Sequence, residues 1–166
     1  MLDAALALEA HIDVNRALYR VGPSAKPGKA QPAERTTDAF YARWLDPSMT
    51  YSSAVFERDA QDLRAAQETK YRKLADKLAL APEQRVLEIG CGWGGFAEYA
   101  ANERGLRVTA LTISQAQHDF AVERIAKAGL SGKVEIKLQD YRDERGSYDG
   151  IASIEMFEAV GERYWP

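Results

Sequence analysis

This sequence predicts an α/β fold, a parallel sheet doubly wound with helices on both faces, and three observations carry that prediction. Short β-rich apolar runs alternate with segments of helical composition through the second half of the chain. A glycine cluster sits where the first of those runs gives way to a helix. The chain has 166 residues, the size of a single domain able to bury a core.

Residues 2–20 read as an amphipathic helix, with Ala5, Leu8, Ile12 and Tyr19 near one face, that docks on the domain. Its polar side has too few basic residues for a membrane-surface helix. Gly22, Pro23, Pro27, Gly28 and Pro32 make residues 22–35 a linker. The division is therefore a helix and linker over 1–35 and the main domain over 36–166. A short helix follows from Thr37, with Phe40 and Trp44 one turn apart, and Pro47 opens a loop over 47–56. A polar helix spans about 59–80 and is closed by Pro82. VLEIG (86–90), LRVTALTIS (106–114), VEIKLQD (134–140) and YDGIASIEM (148–156) then read as strands, with helices over 94–104 and 115–128.

Composition narrows the function. Hydrophobic residues make up 46% and charged residues 28%, as in soluble globular domains. A formal net charge of −3 argues against nucleic acid as a partner. No apolar run is long enough to cross a bilayer, and Asp3 and Glu9 stand where a signal peptide would be basic. Cys91 is the only cysteine, which fits the reducing cytoplasm. Neither His11 nor His118 belongs to a metal-ligand pattern.

The glycine cluster, VLEIGCGWGG at 86–95, fits a tight turn that lets a ligand approach the backbone and meet the first amides of a helix. A dinucleotide site would want a carboxylate at the end of the second strand, but that strand ends Leu111-Thr112-Ile113-Ser114. Glu88 instead precedes the first glycine by two residues. Class I methyltransferases place an acid there, near the methionine end of S-adenosylmethionine, so the loop favours that methyl donor over a nicotinamide.

Four segments make the resemblance specific: FYARWLDPSMTYSSAVFE (40–57), the glycine loop, LTISQAQ (111–117) and SIEMFEAVGERYWP (153–166). In order and spacing they resemble the cyclopropane-fatty-acyl-phospholipid synthase and mycolic acid cyclopropane synthase family, with its Rossmann-like class I methyltransferase fold. That resemblance implies Tyr51 and Ser52 at the methionine end of the cofactor, and Gly90 and Gly92 at its close approach to the backbone. It places Thr112, Ile113 and Gln117 around the ribose and adenine, Asp140 and Tyr141 near the adenine, and Ile154 packed beside it. Plainer roles stay open: Ser114 and Gln117 also spell a capping box, Tyr141 fits a turn, and Ile154 fits a core.

In the family, a cis double bond of a lipid chain attacks the cofactor methyl carbon, and the resulting cation loses a proton to close the ring. The resemblance implies bound bicarbonate as the base, held by Glu158, with Ser53 replacing the cysteine of Y-S-C-A. That replacement leaves methyl branching and small-amine methylation as alternatives. The implied partners are unsaturated phospholipid acyl chains, met by peripheral contact with the inner face of the membrane; a homo-oligomer is compatible with the sequence. Two departures stand out. Residues 34–38 replace the family's H-Y-D-x-G-N, and the chain stops before the family's later strands and its site histidine and tyrosine. The expectation is a truncated, inactive fragment, with the apolar fourth strand left as a bare sheet edge.

Overall fold

The computed structural model describes the backbone of residues 5–13, Arg43 and residues 45–156. Strands β1 (Ala5–Asp13), β2 (Arg85–Ile89), β3 (Arg107–Thr112), β4 (Val134–Leu138) and β5 (Ser147–Ile154) join helices α1 (Leu63–Leu78), α2 (Gly95–Glu103) and α3 (Gln115–Lys127). One sheet runs in the order β1-β5-β2-β3-β4. The pairs β5/β2, β2/β3 and β3/β4 are parallel. The expected strands and helices between residues 59 and 156 all form, with ends shifted by a few residues. The expected linker, the helix from Thr37 and the segment holding Glu158 lie outside the described residues.

Strand alternation sorts the core into two layers. Val86, Val108, Ala110, Val134 and Ala152 meet Tyr71, Leu74 and Leu78 of α1, Phe96, Ala97 and Ala100 of α2, and Ile125 of α3. Leu87, Ile89, Leu111 and Tyr148 cluster on the opposite face. Both faces of β2 are thus packed, which is why its buried residues 86–89 are apolar apart from Glu88. Local signals set the helix ends. The Asp62 carboxylate accepts the Ala65 amide at the start of α1, and Ala79 closes that helix in the left-handed conformation.

The structure corrects the amino-terminal expectation. Residues 5–13 form a strand, not part of a helix, and pair antiparallel with β5 in a register that sets Ala5 opposite Ile154 and Leu8 opposite Ile151. The run ALALEAHID satisfies both the helical and the alternating period over so short a stretch. Its alanines and leucines favour helix, but the unpaired N–H and C=O groups along β5 offer a ladder that overrides propensity. The same pairing corrects the second expectation: the outer edge of β5 is not bare.

Leu74 is 1% exposed at the centre of the helical layer. Leu74→Ala is expected to lower stability by about 2–5 kcal/mol, read as a drop in the urea midpoint at unchanged m-value.

Candidate functional site

In a parallel sheet, strand order decides where loops can part. The chain moves from β2 outward to β3 and β4, then returns to β5 on the other side of β2. The loops leaving β2 and β5 therefore separate at their carboxyl ends and leave a crevice. The β2 loop is held by the Gly90 and Cys91 amides, which donate to the Leu111 carbonyl at 3.0 and 2.9 Å. Gly90 and Gly92 adopt φ values of +79° and +54°, the left-handed region. A Cβ on Gly92 would lie 3.2 Å from Tyr51 Cε1.

Tyr51 belongs to a strap, residues 46–53, laid across this loop and fastened to the helices beneath. Gln67 donates to the Thr50 and Ser52 carbonyls at 3.3 and 2.8 Å. Lys70 Nζ donates to Ser52 Oγ at 2.5 Å and to the Ser53 carbonyl at 2.9 Å. Arg124 reaches across from α3 to the Ser48 carbonyl while pairing with Glu98. Ser48 Oγ donates to Asp46 and so must accept from Thr50, which in turn accepts from Tyr71. Burial pushes the Tyr71 hydroxyl above its usual range, so it stays protonated as the donor at the end of this chain.

Glu88 lies under the strap. It is 3% exposed, and its Oε2 has no hydrogen-bond partner among the described residues. Burial raises its pKa to about 8, against the opposing effects of the Ala97 amide and the Arg124 charge. Trp93 Nε1, its ring edge-on to Phe120, and Gln67 Oε1 are also buried without a partner among the described residues. Orphaned buried polar atoms are costly and uncommon, and two of these three residues, Glu88 and Trp93, line the same pocket. A carboxylate oxygen there suits a cation with N–H donors, and an indole N–H suits an acceptor.

Six of the sequence-derived residues, Tyr51, Ser52, Glu88, Gly90, Gly92 and Ile154, line this one pocket. Thr112 and Gln117 sit beyond it at the end of β3, where Thr112 Oγ1 donates to Gln117 Oε1 at 2.9 Å. Ser114 caps α3 by accepting the Gln117 amide. Gln117 therefore has a structural role at the start of α3. Ile113 is 62% exposed at the same strand end. Asp140 caps the 3-10 turn Tyr141–Asp143 and pairs with the Arg142 guanidinium, which holds its carboxyl below the usual range. Tyr141 packs against the Leu87 and Leu111 layer. Ser53 is outside the pocket; its amide donates to Glu155 at 2.8 Å. Glu158 lies outside the described residues.

With this geometry in place, comparison with known proteins identifies the family. Residues 30–166 match the profile of the mycolic acid cyclopropane synthetase family. The chain belongs to that family. Over 123 residues it is 46% identical to the cyclopropane-fatty-acyl-phospholipid synthase of Escherichia coli K12, covering 74% of this chain and 31% of that protein. It superposes on a mycolic acid cyclopropane synthase crystallised with SAH and CTAB with a TM-score of 0.72 and 31% identity, covering 78% of this chain and 49% of the other. A coclaurine N-methyltransferase bound to N-methylheliamine and SAH gives 0.57 and 27%, covering 67% of this chain and 32% of the other. The chain spans about a third of the length of the curated cyclopropane synthase and fatty acid methyltransferase relatives it matches.

Sequence reasoning missed the residues that hold the strap: Gln67, Lys70, Tyr71 and Arg124. A signal for the first three was present. Gln67, Lys70, Tyr71, Leu74 and Leu78 follow the 3–4 spacing of a single helix face, so polar side chains occupy positions where a core is expected.

The raised pKa of Glu88 has a definite thermodynamic sign. Between its unfolded value near 4.5 and its folded value of about 8, the folded state holds the extra proton, so stability is lost as pH rises through that window. Relative to Glu88→Gln, which cannot ionise, the wild-type chain should lose up to about 1.4 kcal/mol per pH unit across it. Urea unfolding of both proteins at a series of pH values checks this; parallel profiles would refute it.

Proposed function

We propose that this chain carries the cofactor-binding part of an S-adenosylmethionine-dependent methyltransferase acting on the double bonds of unsaturated fatty acyl chains of phospholipids. Residues 36–166 are its methyltransferase domain, and peripheral contact with a membrane delivers the substrate. The single observation that carries the cofactor assignment is Glu88: a buried carboxylate oxygen, unpartnered, beneath a glycine loop at a sheet switch point. S-Adenosylmethionine, when bound, supplies an electrophilic methyl carbon on its sulfonium and an α-ammonium group that matches Glu88.

The chain's own residues then divide the work. Glu88 accepts from the ammonium group, and that positive charge favours the ionised carboxylate. Gly90 and Gly92 keep side chains out of the path of the amino-acid end, and Tyr51 and Ser52 close over it. Thr112, Ile113 and Gln117 receive the ribose and adenine, Asp140 and Tyr141 border the adenine, and Ile154 packs from β5. By family resemblance, Glu158 orients bicarbonate as the proton acceptor, and Ser53 offers its hydroxyl where relatives carry cysteine. The strap limits water at the reacting centre, which a carbocation requires. Ser53, together with the likeness to coclaurine N-methyltransferase, supports a second reading in which the acceptor is a small amine.

Calorimetric titration of the folded chain with S-adenosylhomocysteine tests the cofactor assignment. One-site binding is expected, weakened about tenfold or more in Gly92→Val, whose side chain strains a left-handed backbone and meets Tyr51. Glu88 is largely protonated at pH 7 before binding and ionised after it. Titrations in buffers of different ionisation enthalpy should therefore show close to one proton released. A folded chain that binds nothing overturns the assignment. Methyl-labelled cofactor offered to unsaturated phospholipid vesicles or to a small secondary amine separates the two acceptors.

A further inference from the structure

Lys70 is a buried cation that the cofactor assignment leaves unused. It is 8% exposed on α1, and desolvation lowers its pKa to about 8. Asp46 and Glu155 supply the opposing negative charges, and the Tyr71 ring lies 5.4 Å from its ammonium group. Its two hydrogen bonds go to adjacent residues of the strap, the Ser52 hydroxyl and the Ser53 carbonyl. A lysine ammonium can only donate, so Ser52 Oγ is the acceptor in that contact. The Ser52 carbonyl is taken by Gln67, which fixes the backbone of the same residue. The hydroxyl hydrogen of Ser52 is thereby turned away from α1. No described residue accepts it, and Ser52 lines the pocket that Glu88 also lines.

Resting on the cofactor reading above, we propose that Lys70 is a positioning residue that aims the Ser52 hydroxyl at the carboxylate of the cofactor's amino-acid end. The pocket then recognises a zwitterion from two sides. Glu88 accepts from the ammonium group, and Ser52, polarised by the cation behind it, donates to the carboxylate. Lys70 itself touches no ligand. It acts through Ser52, while its bond to the Ser53 carbonyl and the Ser53 amide's bond to Glu155 keep the strap in register with the end of β5.

The test compares two ligands on the whole chain: S-adenosylhomocysteine and its decarboxylated analogue, which keeps the ammonium group and lacks the carboxylate. The wild-type chain should prefer the first by about tenfold, the value of one charge-assisted hydrogen bond. In Lys70→Met that preference should collapse, through weaker binding of S-adenosylhomocysteine with the analogue little changed. Ser52→Ala should lose the same preference, and adding Lys70→Met to it should change selectivity no further. Ser52→Ala keeps every residue of α1, so the Ser52 hydroxyl is still tested if Lys70→Met does not fold by circular dichroism. Lys70→Arg, which keeps the cation and should keep the preference, then tests the role of Lys70. Equal losses for both ligands, or a preference that survives Ser52→Ala, would overturn the positioning role while leaving the cofactor site standing. Failure of the wild-type chain to bind either ligand would overturn both.

Discussion

A strand with neighbours on both edges and packing on both faces leaves its chain only one way out, and β2 is such a strand. The segment must turn at once, over the top of Leu111, and it does so with Gly90 and Cys91 hydrogen-bonded to that one carbonyl. Everything else at the crevice follows from this turn. It brings α2 up against the sheet, fixes Glu88 on the helical face immediately below, and opens the space that Tyr51 enters because Gly92 has no side chain. An acid at position 88 is therefore buried by geometry, not by chance. Its isolation from solvent is also what raises its pKa.

The strap depends on a different economy. A loop laid across a pocket exposes its backbone to competing water, and irregular backbone stays in place only when its polar groups are satisfied. Here Gln67 and Lys70 on one face of α1, with Arg124 from α3, supply those partners for residues 46–53. The consequence is a lid anchored by side chains of a rigid helix. Its polar groups form a connected series from Asp46 to Tyr71 with a single direction of donation.

The fold was legible between residues 59 and 156 because β2, β3, β4 and β5 are separated by helices with clear caps and turns. Ser114 announces a helix start by residue type and performs that role, whereas the preceding polar helix, α1, begins at the Asp62 cap, a few residues later than expected. The region 5–13 was not legible, because Ala and Leu in alternation fit two periods at once and the deciding partner lies almost the whole chain away. The pocket was partly legible. Glu88 and the glycines carry a local signature, whereas Gln67 and Lys70 act across 15 to 18 residues on a loop whose path no local pattern specifies. Asp140 shows the remaining difficulty: its position was clear, yet its engagement with Arg142 two residues on is a matter of side-chain direction.

The antiparallel pairing of β1 with β5 has a bearing on how this chain acquires its structure. Ala5 and Ile154 are register partners, so β1 can pair only after β5 has left the ribosome. Closing a loop of that length costs more entropy than any contact within the β2–β4 core, whose strand partners are about twenty to thirty residues apart. Sequence separation therefore favours near-neighbour pairing within β2–β4 over the distant pairing of β1 with β5. A nascent chain interrupted before residue 147 would leave β1 without its register partners and one edge of β2 unpaired.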